Sequence, residues 1–444
     1  MTPEQRELFD EAVIKLHAGR IPRRTFLERA MVAGLSASAA SSFLEACGST
    51  TRKNTLYLVW QSEYDISGAY QKITDGFNKA NQDIHVSWQS GPFNTDLISN
   101  ERDLLQARSN AFDIVSLDII TPAEFATKGY VIPITESQWP AQERKRYLQA
   151  PIKGCTFNGQ LWAAPFRTDV GLMYYRKDII ATPPASWEEL TSMARENKGR
   201  AKYGYIWQGV QNEALVCNFI EVLSGYGGSI LDANNPSRVT LNSPEAVQAL
   251  SEMVSWIGTI SPVEVTTHLE EATRAIWERG EALFMRNWPY AYVSGNEDTT
   301  SKVAGKFDIR SMLYGGTNRA GHSTEGGWQL AINAFITPER QLAAWKFIEY
   351  TLGAEAQKIG AMTASWAVTL SSIYDDAEVV KKVPLFKKLK PILQTAIPRP
   401  VTPNYSNVSN AIQLHVYQAL QRKKSPRKAI EDLTDNLNVL VNTR

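Results

Sequence analysis

Between Thr55 and Ala126 the apolar pattern changes period several times, and this constrains the fold more than any other feature of the chain. Thr55-Leu56-Tyr57-Leu58-Val59-Trp60 reads as a strand, and Tyr70, Ile73 and Phe77 then recur at the spacing of one helix face. Ile84, Val86 and Trp88 alternate as in a strand, and Phe112 to Leu117 is a short apolar run suited to a central one. Thr121-Pro122-Ala123-Glu124 starts another helix, with Thr as cap, Pro at the first helical position and Glu reaching back. This βαβα order predicts an α/β fold with a largely parallel sheet. The same punctuation recurs at Ser186-Trp187-Glu188-Glu189, Ser243-Pro244, Thr337-Pro338 and Ser425-Pro426, each ahead of a helical apolar face. A strand is expected from Leu330 to Ile336. At 444 residues the chain is too long for one ordinary core. No Gly/Ser linker divides it, which favours two domains joined by several crossings.

Charge and cysteine content remove whole classes of function. Lys plus Arg count 47 and Asp plus Glu 46, a net charge of +1, so no basic surplus points to nucleic acid. With 43% hydrophobic residues the chain does not have the composition of a disordered protein. Three cysteines, Cys47, Cys155 and Cys217, are too few for a disulfide scaffold. Five dispersed histidines show no HExxH or HxxxH pair, so neither a metal nor a cofactor is indicated. Cys155 and Cys217 are read either as a pair formed in an oxidising compartment or as two buried thiols.

Residues 1–46 read as an address rather than as fold. Arg23-Arg24-Thr25-Phe26-Leu27 resembles a twin-arginine export signal, although Pro22 stands where a polar residue is usual. A weakly apolar run from Ala30 to Leu44 leads to Leu44-Glu45-Ala46-Cys47, which resembles a lipoprotein cleavage box with an unusual Glu, Glu45, two residues before the cysteine. Cys47 would then be the acyl acceptor and the anchor to the membrane.

The exported part resembles the family 1 extracellular solute-binding proteins of ABC sugar importers, in the maltose- and trehalose-binding group. The resemblance is carried by Trp60-Gln61-Ser62-Glu63, by Phe112 to Asp118 with Glu124-Phe125-Ala126, and by Pro165 to Lys177. Pro183 to Leu190, Gly280 to Pro289, Gly326 to Asn333 and Pro398 to Tyr405 complete the series in order. It implies a two-lobed periplasmic-binding-protein fold of the class II type, with ligand held between hinge-linked lobes. Lobe one would be 54–166 with 320–370, and lobe two 167–319 with 371–444. It further implies a non-enzymatic, monomeric receptor outside the cytoplasmic membrane that delivers a di- or oligosaccharide to an ABC permease, with a trehalose- or maltose-like α-glucoside favoured.

A sugar offers hydroxyls and small C–H faces, so its site needs charged hydrogen-bonding groups and flat aromatics. Trp288 ends a short apolar strand beside Pro289, and Trp328 follows Gly326-Gly327. These two are the stacking candidates, with Tyr290 beside them, and Gly327 offers its N–H to ligand. Asp118 and Glu63 stand at strand carboxyl ends, where α/β folds bind ligands, and Asp169 lies in a segment expected to cross between lobes. Arg399, held between Pro398 and Pro400, offers a fork for adjacent hydroxyls, and Tyr405 and Asn404 follow as weaker candidates. The other ten tryptophans default to packing. Paired carboxylates at a sugar also serve hydrolysis, so an exported glycoside hydrolase using Glu63, Asp118 or Asp169 is a second reading. A chemosensory sugar receptor is a third.

Overall fold

The computed structural model describes residue 15 and residues 23–32, 55–91, 95–232, 235 and 237–442. Arg23 and Arg24 open a helix, Arg23–Val32. Cys47 and the cleavage box lie outside the described residues. The strands, in chain order, are β1 Leu56–Ser62, β2 Ile84–Ser90, β3 Ile114–Asp118, β4 Val131–Ile132, β5 Thr156–Phe157, β6 Gln160–Leu161 and β7 Ala164–Val170. They continue with β8 Leu172–Arg176, β9 Tyr203–Ile206, β10 Ala282–Asn287, β11 Phe307–Arg310, β12 Glu325–Asn333 and β13 Ala367–Val368.

Two main sheets form. The larger runs β13-β7-β12-β3-β1-β2, with β4 also on β12, and the smaller runs β11-β8-β10-β9. The expected parallel pairing holds for β1 with β2 and β3. It fails for the rest of the large sheet, because β12 pairs antiparallel with both β3 and β7. The pattern within a strand shows that it is a strand, whereas its partners depend on a chain that leaves after β7 and returns at β12. The strand expected at Leu330–Ile336 accordingly starts earlier, at Glu325, and ends at Asn333.

The helix starts follow the capping signals in most places. Ser186, Ser243, Thr337 and Ser425 each accept a hydrogen bond from the backbone N–H three residues on. Thr121 differs: its hydroxyl donates to the Asp118 carbonyl at 2.8 Å, and Glu124 turns away to Arg102 and Lys128. A nearby guanidinium and ammonium outcompete the local cap for that carboxylate.

Two buried clusters hold the molecule together. One gathers Trp60, Phe77, Phe166, Phe347 and Trp366 around the large sheet. The other packs Trp187, Tyr205, Trp207 and Trp256 with Ile412, Ile430 and Leu437 from the C-terminal helices Tyr405–Leu420 and Pro426–Leu440. The small sheet serves both: Tyr174 and Met285 face the first cluster, Met173 and Phe284 the second. The expected border at 166/167 falls inside β7, which stays on β12 as far as Val170. Residues Ile373 to Ile392 pack into the first cluster, not the second. The chain passes between the sheets where Gly171, Thr324 and Ile397 run side by side. Gly171 N–H donates to Thr324 at 3.1 Å, and Glu325 N–H donates to Ile397 at 2.8 Å. Cys155 and Cys217 are separate buried thiols, so the disulfide alternative is not realised.

Candidate functional site

The ends of β1, β3 and β7 and the start of β12 meet above these crossings, and a cleft of about 480 Å³ opens there. Glu63, Asp118, Asp169, Gly327 and Trp328 line it from the large sheet, and Trp288, Tyr290 and Arg399 also line it. The β12 register explains the assembly, since Trp328 lies opposite Asp118 on one side and Arg167 on the other. Gly327 has φ +128°, and a Cβ there would stand 2.5 Å from the Arg167 carbonyl oxygen. Only glycine lets the two strands close up at that point.

The charged lining is organised around two guanidiniums. Arg167 donates to both Glu63 and Asp169 and lies over the Trp366 ring at 5.0 Å. Tyr70 adds its hydroxyl to Glu63 at 3.4 Å. Burial pushes Glu63 up to about 7 against the pull of Arg167, and it pushes Asp169 up to about 6. Arg399 donates to Asp118 Oδ1 at 2.5 Å and to Glu213 Oε1 at 2.9 Å. Glu213 is itself held above the usual carboxylate range by burial.

Aromatic groups complete the enclosure. Trp288 is half-buried, and its indole N–H donates to Glu270 Oε1 at 3.1 Å. Tyr290 donates to Glu271 at 2.7 Å. Four buried polar atoms of the lining have no partner: Asp169 Oδ1, Glu270 Oε2, and the Nε atoms of Arg167 and Arg399. Buried polar atoms are normally satisfied, so these mark hydrogen-bonding capacity held open.

Tyr405 departs from expectation. It does not line the cleft; it is buried behind it, and its hydroxyl donates to Glu213. It therefore supports the carboxylate that grips Arg399. Asn404 turns away and donates to the Leu440 carbonyl at 3.0 Å. Several lining residues escaped the sequence reading: Arg167, Glu213, Glu270, Glu271, Arg274 and Trp366. Glu213 had a local signal, the Asn212 cap ahead of an apolar helix, although that signal marks a helix start rather than a site. Trp366 had none, because nothing local separates a cleft tryptophan from a core one.

The family profile described as bacterial extracellular solute-binding protein matches residues 61–358. The chain belongs to that family. A probable ABC transporter-binding protein of Deinococcus radiodurans is 36% identical to this solute-binding protein over 348 residues, covering 75% of this chain and 81% of the relative. The maltose-bound MalE3 structure of T. maritima superposes with a TM-score of 0.82 at 33% identity, over 86% of this chain and 99% of that one. A solute-binding protein of Thermotoga lettingae bound with α-D-tagatose shares the fold at TM-score 0.75 and 22% identity, over 87% of this chain and all (100%) of that one. The fold is thus the two-lobed periplasmic-binding-protein type. This solute-binding protein thus belongs to a family of extracellular substrate-binding proteins rather than enzymes, with an ABC transporter-binding protein among its relatives.

Proposed function

We propose that this protein captures a di- or oligosaccharide of the trehalose or maltose type, an α-linked glucoside, and delivers it to its ABC permease. The observation that carries the reading is the placement of two carboxylate-bound guanidiniums, Arg167 and Arg399, in one cleft with Trp288 and Trp328. The likeness to maltose-bound MalE3 at 33% identity supports the choice of sugar. Glu63, Asp118 and Asp169 accept hydroxyl hydrogens, Arg399 donates, Gly327 offers its N–H, and Trp288, Trp328 and Tyr290 cover the sugar faces. The lobes close by bending where Gly171, Thr324 and Ile397 run together. The protein acts as a monomer, exported through Arg23 and Arg24 and tethered by lipid on Cys47.

Micromolar affinity, about −8 kcal/mol, is ordinary for such a site. A thermal-shift screen of glucose, maltose, trehalose and maltotriose tests the reading. A disaccharide at a hundred times its Kd is expected to add about 2.7 kcal/mol of stability. A flat response to every α-glucoside, with a shift for an unrelated solute, would overturn it.

A further inference from the structure

Beneath Trp288 lies an ion pair that does not touch the cleft. Arg286 and Glu221 are 0% and 1% exposed, and neither lines the cavity. The pair is bidentate: Arg286 Nη2 donates to Glu221 Oε1 at 2.7 Å and Nε to Oε2 at 2.9 Å. The guanidinium carbon sits 3.9 Å from the Trp288 ring centroid and covers one face of the indole. Glu221 Oε1 also accepts the Thr324 N–H at 3.2 Å, and Thr324 is one of the three crossing segments. A second crossing segment presses on the same pair, since a Cβ on Gly171 would lie 1.9 Å from Glu221 Oε1 and 2.8 Å from Arg286 Nη2.

We infer that Arg286, held by Glu221, is a positioning residue that sets the Trp288 indole and ties it to the crossing strands. The inference rests on the proposed stacking of Trp288 on sugar and goes beyond it by assigning what aims the ring. A fully buried ion pair is a poor source of stability, because an apolar pair of similar volume often serves as well or better. Its geometry is specific: the planar fork satisfies both carboxylate oxygens and leaves a flat cation facing a flat ring. Three contacts then locate the indole: Arg286 behind it, Glu270 at its N–H, and Gly326 at its edge, where a Cβ would come within 3.1 Å of the ring. Because Glu221 is bonded to Thr324, a rotation of the crossing strands carries the ring with it.

The test is a double-mutant cycle on the full chain, with maltose and trehalose as probes and calorimetry as the readout. Glu221→Gln with Arg286→Met removes both charges together, so no orphan charge stays buried, and Gln still accepts from Thr324. The pair variant is expected to raise Kd about tenfold in the parent and less than about twofold in a Trp288→Ala background. A merely structural role would give the same loss in both. Gly171→Ala displaces Glu221 from the crossing side and should show the same non-additivity if the pair variant fails to fold. Unchanged affinity in the pair variant, or equal losses with and without Trp288, would overturn the inference while leaving the stacking reading intact. Full affinity in Trp288→Ala alone, or no binding of either sugar to the parent chain, would overturn the stacking reading and the inference with it.

Discussion

Glu63 and Asp169 share one guanidinium, Arg167, and both are buried. Burial lifts the Glu63 carboxyl from 4.5 to about 7 in the folded state. Between those values the folded chain holds more protons than the unfolded one, so this contribution to stability is present at low pH and falls as pH rises. Glu63→Gln lacks that loss. Measured without sugar, the stability of Glu63→Gln relative to the parent is expected to improve by about 2–3 kcal/mol from pH 5 to pH 8. A difference that stays flat across this range would refute the burial-raised titration of Glu63. Asp118 and Glu63 were legible in the sequence because an acid at a strand's carboxyl end already has a predictable place. Arg167 was not legible as a site residue, since its bond to Glu63 spans 104 positions of chain. Tyr405 shows the converse: a polar aromatic near a site motif went behind the site, where Glu213 needed a donor.

Helix caps are local chemistry, which is why Ser186, Ser243, Thr337 and Ser425 behaved as read. Strand partners are not local, so the antiparallel entry of β12 and its earlier start at Glu325 were out of reach. The helix Tyr405–Leu420 adds a contact that no pattern announces. Ser406, in its first turn, accepts from Arg102 at 2.9 Å and donates to Glu124 at 2.8 Å. Arg102 and Glu124 belong to helices beside the large sheet, while Val408 and Ile412 of the same helix pack in the second cluster. Ser406 therefore joins the two halves without touching the cleft. A hydrogen bond to a charged group contributes about 1.5–3 kcal/mol, so Ser406→Ala is expected to lower the unfolding free energy by about 2 kcal/mol. Denaturant unfolding would show it, and an unchanged midpoint would mean that the contact does not hold the two halves together.

At the scale of the whole molecule, the two-lobed fold followed from motif order, but the division of the chain did not. The residues from Ile373 to Ile392 returned to the first cluster, because an amphipathic stretch carries no mark of which apolar surface it will cover. The second cluster is finished only by the last two helices, which supply Val408, Val416, Leu433 and Leu437. A chain ending at residue 403 would leave that surface bare and is expected to be insoluble on expression, measured as the fraction lost to the pellet. Soluble, cooperative unfolding of that shortened chain would contradict the account. The arrangement also sets a timetable for synthesis. The small sheet leaves the ribosome long before the helices that cover it, so the second cluster stays bare and sticky until Leu437 emerges.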